Sequence, residues 1–378
     1  MAIIQYLTHV RFGRGELSQL PEDVASLGMS RPLVITDRGL VASGLMNRLC
    51  AAMPSVCSQV IFDATPSNPT EEAALAALDL YVGHRCDGLI AFGGGSPIDL
   101  AKAVALLATH VGPLGRYAAI DGGMQHVSAA VAPVIAVPTT SGTGAEVGRA
   151  ALMTLTDGRK LAIISPHLIP KRAICDPSLT DALPPRLTAA TGMDALSHCI
   201  ETYLSPRYNP VADAIALDGA GRIARALPRA IENPNDTTAR DELMMGALMG
   251  GLTFQKGLGA VHGLSHALGS LAEPSLHHGT LNAVLLPPVL RFNAEVAAER
   301  IARLKAAMNV PAATALDRFI EKLNAAMGLP ASLKAMGVPA SVIDEMADKA
   351  FRDHSTATNP RPVSREDYVA MLNEMIGA

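Results

Sequence analysis

The stretch GLIAFGGGSPIDLAKAVALLA, residues 88–108, decides how the first half of this chain folds. An apolar run rich in branched and aromatic side chains is long enough for a strand buried on both faces, and it ends abruptly in Gly93-Gly94-Gly95. Ser96 is a good helix N-cap, Pro97 suits the first helical position, and Asp99 completes a capping-box-like pattern before an Ala/Leu-rich helix. Glycines let a phosphate approach the backbone, and the free amides of a helix start make an anion site. The same grammar extends to both sides. PLVITD (32–37) precedes the helix-like GLVASGLMNRLCAAM (39–53), QVIFDAT (59–65) precedes the turn PSNPT (66–70) and EEAALAALDLYVGH (71–84), and APVIAVP (132–138) ends at the loop TTSGTGAE (139–146). Strands alternating with helices predict βαβ units on a mostly parallel sheet, in which ligands bind beyond the carboxyl ends of the strands.

From about Leu183 the strand signals stop. Helix follows helix, with breaks expected at Pro206, Pro210, Pro228, Pro274, Pro287-Pro288 and Pro330. The chain therefore divides into an α/β domain over residues 1–182 and an all-helical domain over residues 183–378, without internal repeats. At 378 residues, two domains of ordinary size are the natural expectation.

Composition narrows the function. A net charge of −4 with no long basic run argues against nucleic acid or an anionic membrane as partner, and 3% aromatic residues supply few stacking platforms. A small molecule is the expected partner. The N-terminal MAIIQYLTHVRFGRGEL places an Arg and a Glu where a signal peptide needs an apolar stretch, and no run reaches transmembrane length. The five cysteines, Cys50, Cys57, Cys86, Cys175 and Cys199, contain no CxxC and form neither a disulfide framework nor a thiolate metal site. A reducing cytoplasm fits them.

The second half carries the chemistry. Asp194 and His198 in GMDALSHCIE are four apart, so on a helix both side chains leave one face a turn apart and can chelate one ion. His262 and His266 in VHGLSHALG repeat that spacing, and His277-His278 adds a third cluster. The surrounding segments are apolar and Gly/Ala-rich, which buries these polar groups; a divalent cation would satisfy them while leaving room for an exchangeable ligand. In the first half, Asp37 ends a strand where a carboxylate could accept from a ribose 2′-OH and repel a 2′-phosphate. Thr139, Thr140, Ser141 and Thr143 offer more hydroxyls than a plain connection needs.

Together these pieces resemble the iron-containing, or group III, alcohol dehydrogenase family along almost the whole chain. The matching stretches are FGRGEL, VITDRGL, PSNPT, AFGGGSPIDLAK, VPTTSGTGAE, ICDPSLT, GMDALSHCIE, FQKGLGAVHGLSHALG, HHGTLNAVLLP and NPRPVS, in that order. The resemblance implies a dinucleotide-binding α/β domain followed by a helical domain, the dehydroquinate synthase-like architecture, with metal and nicotinamide between them. It implies that Asp194, His198, His262 and His278 bind the metal, with His277 behind them, and that His266 lies near the nicotinamide as a proton relay. For NAD it implies Gly94, Gly95 and Ser96 at the pyrophosphate, Thr139 and Thr140 near the phosphates and nicotinamide, Asp37 at the adenosine ribose, and Lys160 and Leu179 lining the cofactor. Iron is the family's metal, although zinc suits the same donors, and a dimer is the family's expected assembly.

The expected reaction is hydride transfer between a small alcohol and NAD⁺, with the metal as Lewis acid and His266 carrying a proton. Three departures from the family pattern bear on the substrate: Lys256 where many members have a small or amide residue, Gly148-Arg149 after PTTSGTGAEV, and Pro288 in place of a His. Turned inward, Lys256 or Arg149 would anchor a carboxylate, as in a maleylacetate reductase-like or hydroxybutyrate dehydrogenase-like enzyme. We expect both cations to snorkel to the surface, leaving a mostly apolar wall (Leu252, Phe254, Leu258) and a neutral alcohol or aldehyde. Cyclases of the dehydroquinate synthase type and zinc glycerol dehydrogenases share the architecture, but the intact Asp-x-x-x-His, VHGLSH and HHG favour the alcohol dehydrogenases. A metal-stabilised binding protein without turnover would leave the GGGS and TTSGTG loops unexplained.

Overall fold

In the first half, apolar runs that cannot shed either face to water form a sheet covered on both sides. The computed structural model describes residues 4, 6, 8–55, 57, 60–271 and 273–377. Its strands are β1 (His9–Phe12), β2 (Pro32–Ile35), β3 (Val60–Phe62), β4 (Gly88–Gly93), β5 (Val134–Pro138), β6 (Ala150–Thr154), β7 (Lys160–Ile164) and β8 (Arg172–Cys175). Six of them make one parallel sheet in the order β1-β8-β5-β4-β2-β3, and β6 and β7 form a separate antiparallel pair. Every residue of β2, β4 and β5 is buried, as expected of strands with helices on both faces. Leu33, Leu89 and Ala136 pack into one apolar layer; Val34, Ile90, Ile135 and Ile174 pack into another.

The four strands read from the sequence are present, although Gln59 lies outside the described residues. β1, β8 and the β6/β7 pair escaped that reading, because β1 is a four-residue run holding His9 and Arg11 and β8 begins on Arg172. The helices of this half are α1 (Leu20–Ser26), α2 (Arg38–Ala42), α3 (Met46–Ala52), α4 (Glu71–Gly83) and α5 (Gly95–Leu107). The segment read as one helix over 39–53 is two, separated at Gly44, whose φ of 78° lies in the left-handed region.

The start of α5 also differs from the sequence reading. Gly94, not Ser96, is the N-cap, so Ser96 and Pro97 lie inside the first turn. Ser96 Oγ instead donates to the Ser67 carbonyl at 2.6 Å. Asp99 accepts from Leu152 N at 3.1 Å and lies 3.4 Å from Lys102 Nζ, tying α5 to β6 rather than capping it.

The second half contains α6 (Pro185–Leu204), α7 (Pro210–Glu232), α8 (Thr237–Leu252), α9 (Ala260–Leu268), α10 (His278–Asn293), α11 (Ala298–Ala307), α12 (Leu316–Ala326), α13 (Ile343–Arg352) and α14 (Arg365–Gly377). Pro210 opens α7 behind the Asn209 cap, which accepts from Ala212 N at 3.1 Å. The breaks expected at Pro228 and at Pro287-Pro288 do not occur: α7 and α10 run through them. An internal proline costs about 3 kcal/mol, and in α10 burial of both rings in the core offsets it.

Packing separates the chain into two units, the break falling between Asp181 and Ala182; Ser141–Thr143 belong to the helical unit although Thr140 and Gly144 on either side belong to the sheet unit. Among the described residues, no helix is long and apolar enough to cross a membrane.

Candidate functional site

In the sheet unit, β2 leads outward to β3 and the chain then returns to place β4 on the other side of β2, so the strand order reverses between β2 and β4. That crevice is where open α/β sheets bind ligands. Asp37 and the turn Gly93–Ser96 follow these two strands. Asp37 caps α2, accepting from Leu40 N at 3.0 Å, and is half-buried, while Arg38 is exposed. Gly93 has φ 158°, and a Cβ there would come within 2.5 Å of Pro97; one on Gly94 would lie 3.4 Å from Thr140 Oγ1. No side chain caps α5, which leaves its first-turn amides available to an anion.

Thr139 N donates to the Gly93 carbonyl at 3.0 Å, bringing the second loop beside the first. Lys160 Nζ donates to Asn68 Oδ1 at 2.8 Å, and burial pushes its ammonium down to about 8 against the pull of Asp99. Leu179 is 2% exposed and packed in the core cluster with Val34 and Ile174, so it offers little open surface.

In the helical unit, α6, α9 and α10 bring four donors together. Asp194 Oδ1 lies 3.5 Å from His198 Nε2, 3.9 Å from His262 Nε2 and 3.6 Å from His278 Nε2. Donors bonded to one tetrahedral ion at about 2.1 Å sit about 3.4 Å apart, so each imidazole lies from Asp194 at about the separation that a shared divalent cation requires. The donor atoms of Asp194, His262 and His278 all lie within 4.8 Å of one another, and His198 joins them through Asp194 and by stacking on His262 with ring centroids 4.6 Å apart. His277 is exposed and caps α10, its Nδ1 lying 3.4 Å from Thr280 N. Burial pushes His198 down to about 4 and His262 to about 3, so at neutral pH both rings are uncharged and hold lone pairs for a metal.

Two residues absent from the sequence reading complete this cluster. Glu201 stands on the stripe of α6 that carries Asp194 and His198, at spacing i, i+4, i+7. Its Oε2 accepts from His262 Nδ1 at 2.5 Å and its Oε1 from Val261 N at 2.7 Å, which turns His262 Nε2 toward the other donors. Burial raises its carboxyl to about 7 despite the bond from Val261. Asn282, one turn after His278 on α10, donates to Asp194 Oδ1 at 2.7 Å and lies 3.2 Å from Nε2 of both His262 and His278. The helical spacing was the available signal for both.

His266 is 8% exposed, its ring stacked on that of His278 with centroids 5.6 Å apart, and its Nδ1 bonds Asp353 Oδ2 at 3.0 Å. Phe254 places its ring edge against His198, centroids 4.7 Å apart. Lys256 does not reach the surface as expected. It is 1% exposed and its ammonium binds Asp213 and, at 2.9 Å, the Tyr203 carbonyl, because a buried cation must be paired. Arg300 shares Asp213 at 2.9 Å. Arg149 is half-buried in the sheet unit and already partnered.

Residues 8–177 match the family described as iron-containing alcohol dehydrogenase, and residues 188–376 match the C-terminal part of the Fe-containing alcohol dehydrogenase family. The chain belongs to the iron-containing alcohol dehydrogenase family. It is 49% identical to a 4-hydroxybutyrate dehydrogenase of Cupriavidus necator, over 99% of this chain and 100% of that protein. The crystal structure of a 1,3-propanediol oxidoreductase superposes with a TM-score of 0.91 at 32% identity, covering 99% of this chain and 100% of the other. A sulfoacetaldehyde reductase from Bifidobacterium kashiwanohense, solved with NAD⁺, superposes with a TM-score of 0.90 at 26% identity, covering 100% and 99%. Like the rest of its family, the chain is a metal-dependent, NAD-linked oxidoreductase.

Proposed function

We propose that this enzyme interconverts a short ω-hydroxy acid and its aldehyde using NAD(H), with 4-hydroxybutyrate as the first candidate. The observation that carries the acid is the 49% identity, end to end, to a 4-hydroxybutyrate dehydrogenase, against 32% to the propanediol oxidoreductase. It replaces the neutral-substrate expectation as the leading reading. Lys256 is not the carboxylate's partner, since Asp213 and the Tyr203 carbonyl hold its ammonium.

Asp194, His198, His262 and His278 hold the ion in this reading, and Asp37, Gly94, Gly95, Ser96, Thr139, Thr140 and Lys160 bind NAD. When bound, the ion supplies Lewis-acid polarisation of the substrate oxygen and the nicotinamide accepts or returns the hydride. Glu201 fixes the tautomer of His262, Asn282 orients Asp194, and Phe254 excludes water beside His198. His266, steadied by Asp353, carries the proton. We place the enzyme in a reducing cytoplasm, in line with five cysteines that are all unpaired, and expect a dimer by light scattering.

The test compares kcat/KM for 4-hydroxybutyrate and 1-butanol with NAD⁺. A charge-assisted contact to the carboxylate contributes about 1.5–3 kcal/mol, a preference of about ten-fold or more for the acid. The half-buried apolar residues Leu252, Phe254 and Leu258 favour a second reading, a neutral short alcohol, and equal or reversed values would establish it.

A further inference from the structure

A second group of metal-type donors stands outside the four-residue cluster. His266 on α9 and Asp353-His354, in the turn that follows α13, bring two imidazoles and one carboxylate within 4.8 Å of one another. Asp353 uses both oxygens. Oδ2 lies 3.0 Å from His266 Nδ1 and Oδ1 lies 3.5 Å from His354 Nδ1. The Ser355 amide donates to Oδ1 at 2.8 Å and fixes the carboxylate, the kind of outer support that orients metal ligands. The two rings are nearly parallel, 18° apart with centroids 5.8 Å apart.

Burial grades outward through this group. The side chain of His266 is 9% exposed, that of Asp353 16% and that of His354 40%. An ion can therefore enter from solvent and keep water on its outer side. An ordinary ion pair would need only one of the two histidines. Two nitrogens and one oxygen, without thiolates, suit zinc and are too nitrogen-rich for magnesium or calcium.

The geometry points to a second, solvent-accessible zinc site formed by His266, Asp353 and His354, separate from the site of Asp194, His198, His262 and His278. Because it takes up His266, zinc bound there inhibits turnover. It needs no change in the fold, only a rotamer adjustment of half-exposed His354 to bring its nitrogen to bonding distance.

The experiment titrates Zn²⁺ into the iron-loaded enzyme and measures iron, zinc and activity on the same desalted samples. The expected result is uptake of one zinc per chain with iron retained, and loss of activity in step with that uptake. His354→Ala keeps its basal activity and its iron but loses the added zinc, so that inhibition needs about a hundred-fold more Zn²⁺ or more, since a lost ligand costs at least what a lost outer-shell partner does. Asp353→Asn, which preserves shape, also fails to take up the second ion. Zinc gained only in exchange for iron would overturn the site, as would a second equivalent that persists in His354→Ala, or one that binds without inhibition and so leaves His266 outside the ligand set.

Discussion

Gly279 follows the metal-ligand candidate His278 and sits where α10 crosses α6. A Cβ at that position would lie 2.3 Å from the Ala190 carbonyl oxygen, 2.8 Å from its carbon and 3.3 Å from Asp194 Cβ. The nearest contact is backbone, so no side chain can turn aside. Carbon-to-oxygen contacts normally start near 3.3 Å, so Gly279→Ala must move α10 away from α6 by about 1 Å. Such overpacking costs about 1–3 kcal/mol. It also stretches the present 3.6 Å between Asp194 Oδ1 and His278 Nε2. At about 4.6 Å the pair exceeds the roughly 4.2 Å that two bonds of about 2.1 Å can span, so one ion no longer holds both. We expect a lower Tm in the metal-free protein and a metal affinity reduced about a hundred-fold or more, read by metal analysis after dialysis against graded chelator. Gly83→Ala is the control: nothing lies within 4 Å of a Cβ there, and alanine should gain up to about 1 kcal/mol of helix preference at most. A Gly279→Ala protein with unchanged Tm and metal content would refute the idea that this glycine sets the spacing of the site.

Glu201→Gln, which keeps the shape but loses the negative acceptor for His262 Nδ1, should weaken metal binding about ten- to a hundred-fold, by the same dialysis assay. His278→Ala should strip the ion and abolish turnover, whereas His277→Ala should cost only part of a helix cap; equal effects would displace the ligand assignment. Asp37→Gly should raise NADP(H) use relative to NAD(H) in kcat/KM, and should lower stability by a few tenths of a kcal/mol, about the cost of a Gly at an N-cap. Lys160, pushed down to about 8, should be roughly a quarter neutral at pH 7.5 and so acylate ahead of other lysines, with NAD protecting it. Its folded value lies below the ordinary 10.5, so the fold gains stability as pH rises between the two, and Lys160→Met should flatten that slope in denaturant titrations.

The parallel sheet was legible because β2, β4 and β5 are apolar without interruption, and the helical half because its periodic segments contain no β-branched runs. The edge strand β1 was not, since a partly exposed strand carrying His9 and Arg11 has no continuous apolar signal. At the site, four-residue spacing exposed Asp194 with His198 and His262 with His266, because two polar groups on one face of a helix are a local pattern. The bond between Glu201 and His262 joins two helices across 61 positions, so the partner that turns His262 could be found only once the helices were placed. Lys256 failed for the same reason. Its partners Asp213 and Tyr203 lie 43 and 53 residues upstream, and nothing near Lys256 announces a buried cation.

The three residues Ser141–Thr143, which the helical unit takes from the middle of the other half, bear on how the polypeptide reaches its native state. Gly142 sits so close to α6 that an added Cβ would meet Thr191 Cβ at 2.8 Å. A helical half produced from Ala182 onward would thus emerge with α6 uncovered at Thr191. During synthesis the order is favourable: residues up to Asp181 leave the ribosome first and already present the missing piece, so α6 can condense against it as it appears. The two halves are accordingly one cooperative folding problem, and cutting the gene at the apparent domain boundary should yield an aggregating C-terminal fragment that recovers only when the N-terminal piece is co-expressed.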